Sequence, residues 1–172
     1  MSYQERRTIV SLLTGVAVIV AYSIYAFGRY QAGLVAAGDL KFWAGTMLIF
    51  VGIGILASII IQIIFHILTS IGMAVTTKIR DQQASDKEIE ASIERSIGSE
   101  MVEDEMDRLI ELKANRVGFA AAGIGFIAGL VALLLGYSAV IMLNILFLSF
   151  SGGSLLEGIV QLYFYRRGVA HA

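Results

Sequence analysis

Four long apolar runs separated by shorter polar stretches set the pattern of the chain. A membrane-crossing helix needs about 20 mostly apolar residues, because the hydrocarbon layer is about 30 Å thick and a helix rises about 1.5 Å per residue. Thr8–Phe27, Phe42–Ser70, Val117–Tyr137 and Ser138–Tyr165 meet that requirement, and the second and fourth are long enough to tilt or protrude. The pattern predicts an all-α fold: a four-transmembrane-helix bundle with an acidic cytoplasmic helical segment between spans 2 and 3. Residues 1–75 then carry spans 1 and 2, residues 76–115 form the polar segment, and residues 116–172 carry spans 3 and 4 with a short tail. The polar segment, at about 40 residues, is too small for a core of its own.

Within that segment Ser85 and Glu88 have capping-box spacing, and Ile89, Ile93 and Ile97 recur on one face, so a short amphipathic helix is expected to end at Gly98. A second helix is expected from near Ser99, running without interruption into the third span. Six basic residues stand against eleven acidic ones here, a net charge of −5. Glu100, Asp104, Asp107 and Glu111 share one face of the second helix. Such a stripe reads as a solvated face, as a site for a hard cation, or as a docking surface for a cytoplasmic protein partner.

Orientation follows from Lys and Arg. With both termini and the polar segment in the cytoplasm, only Arg29 and Lys41 of the 13 basic residues lie outside. That bias argues against insertion in both directions. Tyr22, Tyr25, Tyr30, Phe42, Trp43 and Tyr137 mark the outer headgroup level, and Tyr163 and Tyr165 the inner one. The first span lacks an A-x-A-like exit and is read as a retained signal-anchor.

Composition sharpens this picture. The chain of 172 residues is 57% hydrophobic and 16% charged, against about 25% charged in an ordinary soluble domain, and its mean hydropathy is +0.77. A net charge of −1 offers no footprint for nucleic acid. There is no Cys, which excludes disulfides, thiolate catalysis and Cys-ligated metal centres. No phosphate loop, nucleophile elbow or metalloprotease helix is present, so no enzyme is expected. There is no Pro either, so any break in a span must come from glycine.

Two glycine features stand out. Gly125-x-x-x-Gly129, flanked by Gly118, Ala121, Ala132 and Gly136, forms a small-residue seam that puts the third helix at the centre of the bundle or at a dimer face. Ser151-Gly152-Gly153-Ser154 interrupts the fourth span and reads either as a hinge at Gly152 and Gly153 or as tight packing of a continuous helix.

Two ionisable residues, His66 and Glu157, lie well inside the spans, where charge is costly and points to function. Each is nine or ten residues from the cytoplasmic end of its span. They are therefore expected at one depth. Ser58, Gln62, His66 and Thr69 form a polar face on span 2, and Gly153, Glu157 and Gln161 another on span 4. A protonatable His66–Glu157 site lined by Ser58, Gln62 and Gln161 is one reading; a neutral hydrogen-bonded pair fixing helix register is the other. Asn144 is expected to make an interhelical hydrogen bond. Haem ligation would need His66 from two copies, since His171 lies in the tail, and no cofactor or metal is expected.

The run from Asp104 to Ala114 ahead of a span, with Tyr163-Phe164-Tyr165-Arg166-Arg167-Gly168 after another, resembles an uncharacterised prokaryotic four-span membrane protein family, a domain of unknown function. The resemblance implies a small protein of the prokaryotic plasma membrane and transfers no activity or site residues. The functional expectation is a homo-oligomer in the lipid bilayer that passes a small solute or ion. The alternative is a non-transporting scaffold or regulatory protein whose cytoplasmic helices bind a partner.

Overall fold

The computed structural model describes residues 3–80 and 105–167. Four helices, α1 (Tyr3–Gln31), α2 (Leu40–Arg80), α3 (Glu105–Leu134) and α4 (Ala139–Arg167), account for nearly all of them. All four are long and apolar enough to cross a membrane, and the apolar window of α2 buries none of its residues inside the chain. Helix α3 carries the polar stretch from Glu105 directly into the apolar one. Ser85, Glu88, Ile89, Ile93, Ile97, Glu100 and Asp104 lie outside the described residues.

Glycine and capping residues explain the two tight turns. Gly33 and Gly136 adopt φ of 69° and 86°, conformations that side-chain-bearing residues rarely take. Each closes its helix by paired bonds: Leu34 N–H to the Arg29 carbonyl with Gly33 N–H to Tyr30, and Tyr137 N–H to Ala132 with Gly136 N–H to Leu133. These are Schellman caps. Asp39 then opens α2 by accepting the Phe42 N–H at 3.0 Å, and Ser138 opens α4 by accepting the Ile141 N–H. The second turn therefore occupies 135–138, where hydropathy alone had the two spans abutting.

Helix α4, not α3, is the hub. It packs most extensively on α3 and also touches α1 and α2. The buried side of α3 is Ile110, Ala114, Gly118, Ala122, Gly125, Gly129 and Ala132. Ala122 thus takes the place expected for Ala121, because a stripe meeting one straight partner can step by four or three residues and the partner decides which. Close backbone approach holds this seam. A Cβ on Gly118 would lie 2.8 Å from the Gly153 carbonyl oxygen, one on Gly125 would overlap Ser149, and one on Gly129 would touch Met142. The contact with α1 is reciprocal: Leu12 sits on Gly158 and Leu155 on Gly15.

The buried core lies at the end of the bundle holding the two turns. There Tyr22, Ala26, Trp43, Met47 and Val140 pack together, with Phe50 and Phe147 against them. Beyond Met47, no side chain of α2 among the described residues is buried. Helix α2 is thus anchored at the turn end and leaves space between itself, α1 and α4 toward the other. At that other end Glu5 pairs with Arg166 at 3.2 Å, and Lys113 Nζ lies 6.0 Å from the Phe164 ring centroid, joining α1 and α3 to α4.

Candidate functional site: the Glu157 cavity

The space left beside α2 is a cavity of about 500 Å³ lined by α1, α2 and α4. Its polar wall comprises Thr8, Ser11 and Thr14 from α1, Ser58 from α2, and Ser151, Ser154, Glu157 and Gln161 from α4. Among the described residues, Glu157 is the one charged residue in the lining. It is half-buried, and its side chain rests against Gly118, where a methyl group would approach its Cβ to 3.0 Å. Among the described residues, no side chain donates a hydrogen bond to its carboxylate and none forms an ion pair with it.

The hydroxyls nearby are partly occupied by their own helix. The Thr14 hydroxyl donates to the Val10 carbonyl at 2.9 Å. That of Thr8 shares its proton between the Gln4 carbonyl at 3.0 Å and Gln161 Oε1 at 3.2 Å. These bonds satisfy the donors locally and leave oxygen lone pairs toward the cavity.

A smaller cavity of about 170 Å³ adjoins the first, sharing Thr8, Ser11 and Gln161 with it. Gln4, Arg7, Gln62, Asp107, Glu111 and Tyr165 complete it. Two acids of the expected stripe, Asp107 and Glu111, thus meet Arg7 and Gln62 at the mouth of the Glu157 cavity. Toward the turns the cavity ends on Phe50 and Phe147. Tyr22, fully buried, packs behind them, edge-on to Phe50 and tilted against Phe147, with ring centroids 5.7 and 4.4 Å away. Its hydroxyl donates to Asn144 Oδ1 at 2.8 Å, and Asn144 Nδ2 donates back to the Val140 carbonyl at 2.9 Å. Polar side chains and apolar ones such as Val18, Phe50 and Phe147 share the lining of the cavity, and the exposed Val51, Ile55 and Ile59 leave it open along α2.

The structure brings Ser58, Glu157 and Gln161 together and places Gln62 in the adjoining mouth. It does not bring in His66, which is exposed and lines neither cavity. His66 and Glu157, expected to share a site, do not line a common cavity. Ser58 is the α2 residue at the level of Glu157, and His66 lies eight residues farther on, about 12 Å of helix rise. Helix α2 is continuous to Arg80, so counting back from Thr76 misplaced it along the bundle. Gly153 lies at the crossing with Gly118 in an unbroken helix, and nothing approaches a Cβ built on Gly152. Gly125 and Gly129 face α4 of the same chain.

Thr8, Ser11 and Thr14 were missed. Their three-residue spacing places them on one side of α1, a signal present in the sequence but faint, because hydroxyl residues barely register in hydropathy.

Comparison with family models, with curated proteins and with solved structures finds no match for the chain.

Proposed function

We propose that the chain is a multi-pass protein of a prokaryotic plasma membrane, with both termini cytoplasmic, and that it passes a small solute or ion through the Glu157 cavity. The feature that carries this reading is Glu157, which lines a space of about 500 Å³ between α1, α2 and α4 and has no ion-pair partner among the described residues, in a helix otherwise built for lipid. Membrane insertion is supported by the outward surface. Leu48, Leu68 and Phe119 are 73%, 62% and 77% exposed among dozens of similar side chains, far more apolar surface than a soluble monomer presents. A carboxylate at membrane depth is retained at a cost of about 3 kcal/mol when charged, and such groups mark ion and substrate paths.

Protonation gives the site two states. The neutral acid suits an empty cavity and the carboxylate suits a bound positive charge, so occupancy and proton exchange are linked. The mouth at the Glu5–Arg166 end supplies access from the cytoplasm. The rings of Phe50, Phe147 and Tyr22 close the path outward, and passage requires them to part. Assembly of several copies along the apolar faces of α2 belongs to the same reading. The alternative, a scaffold whose cytoplasmic helices bind a partner, draws on the same acids, since Asp107 and Glu111 line the mouth and Glu111 is exposed.

The test is flux in proteoliposomes loaded with a pH-sensitive dye. Wild-type chain is expected to move protons against an imposed gradient of a monovalent cation, and Glu157→Gln to abolish that movement while retaining its helical signal. Equal flux in the two would refute the proposal.

A further inference from the structure

We infer that the occupant of the Glu157 cavity is a singly charged organic cation with an aromatic-sized apolar body. This deepens the transport reading above and rests on it. Four observations lead to it.

The charge comes first. Among the described residues Glu157 is the single charged group in the lining, while Arg7, Asp107 and Glu111 sit in the adjoining mouth. One carboxylate in a site of reduced dielectric attracts one positive charge and repels anions. Size comes second. A volume of about 500 Å³ lies within the range of small-molecule sites, about 300–1,000 Å³.

The third observation concerns the oxygens. A calcium ion exchanges its water for about six to eight oxygens at about 2.3–2.6 Å, and magnesium demands a still tighter octahedron. Here one carboxylate stands among neutral hydroxyl and amide oxygens, and no cluster of three His, Cys, Asp or Glu occurs among the described residues. One carboxylate leaves half the charge of a divalent ion without a counter-charge, which disfavours calcium and magnesium here.

The apolar wall is the fourth. Leu12, Val18, Ile55 and Leu155 line the cavity and Phe50 and Phe147 form its floor. An organic cation holds its water weakly, gains from burial of its own apolar surface, and is attracted to ring faces within about 6 Å of their centroids. Phe50 and Phe147 then select the body of the ligand, and Glu157 its charge.

The test uses the full chain in lipid nanodiscs titrated with ethidium, a planar monovalent aromatic cation, with empty nanodiscs subtracted. Saturable binding is expected, lost by about tenfold or more in Glu157→Gln, where the charge is removed, and abolished in Ser58→Phe, which fills the cavity from the loosely packed α2. Sodium and rubidium, followed as radioisotopes, are expected not to bind in a Glu157-dependent manner. Far-UV circular dichroism and gel filtration of each variant establish that the fold persists. Should sodium or rubidium binding depend on Glu157 while ethidium binding does not, the organic-cation assignment is overturned and the transport reading stands. If no probe depends on Glu157, both fall.

Discussion

Gly118→Ala isolates the contact on which the α3–α4 seam and the seat of Glu157 both depend. The added methyl carbon would lie 2.8 Å from the Gly153 carbonyl oxygen and 3.0 Å from Glu157 Cβ. Carbon atoms pack best at about 3.5–4.0 Å, so the helices must part by about 0.5–1 Å, a gap that forfeits about a quarter to a half of each local contact. The obstructing oxygen belongs to the α4 backbone and cannot swing aside. Overpacking of this kind costs about 1–3 kcal/mol.

Gly123→Ala is the matched control. It lies on the same helix with nothing within 4 Å of its added Cβ, and both substitutions gain the same helix propensity, at most about 1 kcal/mol. Reversible unfolding of the two variants in mixed micelles, followed by far-UV ellipticity, should show Gly118→Ala less stable than Gly123→Ala by about 1–3 kcal/mol. If the two unfold together, the Gly118–Gly153 crossing is not what holds α3 to α4.

Two further outcomes follow from the same packing. Gly158→Ala would bring its methyl within 2.7 Å of Leu12 Cδ2; it should destabilise by about 1–2 kcal/mol, and Leu12→Ala in the same chain should recover part of the loss, a coupling read from a double-mutant cycle. Tyr22→Phe removes the 2.8 Å hydrogen bond to Asn144 and should cost about 0.6–1.5 kcal/mol in the same unfolding assay; no measurable change would mean that this bond does not secure the aromatic cluster.

The number and approximate limits of the helices were legible because hydropathy over 20 residues is a strong, additive signal. The register of α2 against α4 was not. Counted from the cytoplasmic ends, His66 and Glu157 appeared level. Counted from the caps Asp39 and Ser138, the residue nineteen positions in is Ser58 on α2 and Glu157 on α4, and at twenty-three positions the pair is Gln62 and Gln161. The turn end is where α2 is packed, through Trp43 and Met47, so that end fixes the register and the far end of α2 runs on unconstrained. The direction in which a polar face points was also beyond the sequence. Four-residue steps from Ser58 through Gln62 to His66 drift about 40° each around a helix with 3.6 residues per turn, enough to carry His66 off the side facing α1 and α4. The Gly153 approach to Gly118 joins residues on two helices, and no single-helix pattern identifies which small residue meets which.

Transport requires that the Glu157 cavity be wet and reached from the end that holds Glu5 and Arg166. Because the chain has no cysteine, Ser58→Cys can be probed alone with a membrane-impermeant cationic methanethiosulfonate in right-side-out and inverted membrane vesicles. Ile127→Cys, at a position 60% exposed on the outward face of α3, serves as the lipid-facing reference. Modification of Ser58→Cys from the cytoplasmic side only, with Ile127→Cys inert from both, is the predicted result. Ser58→Cys as inert as Ile127→Cys, or labelled only from the side of the turns, would contradict it.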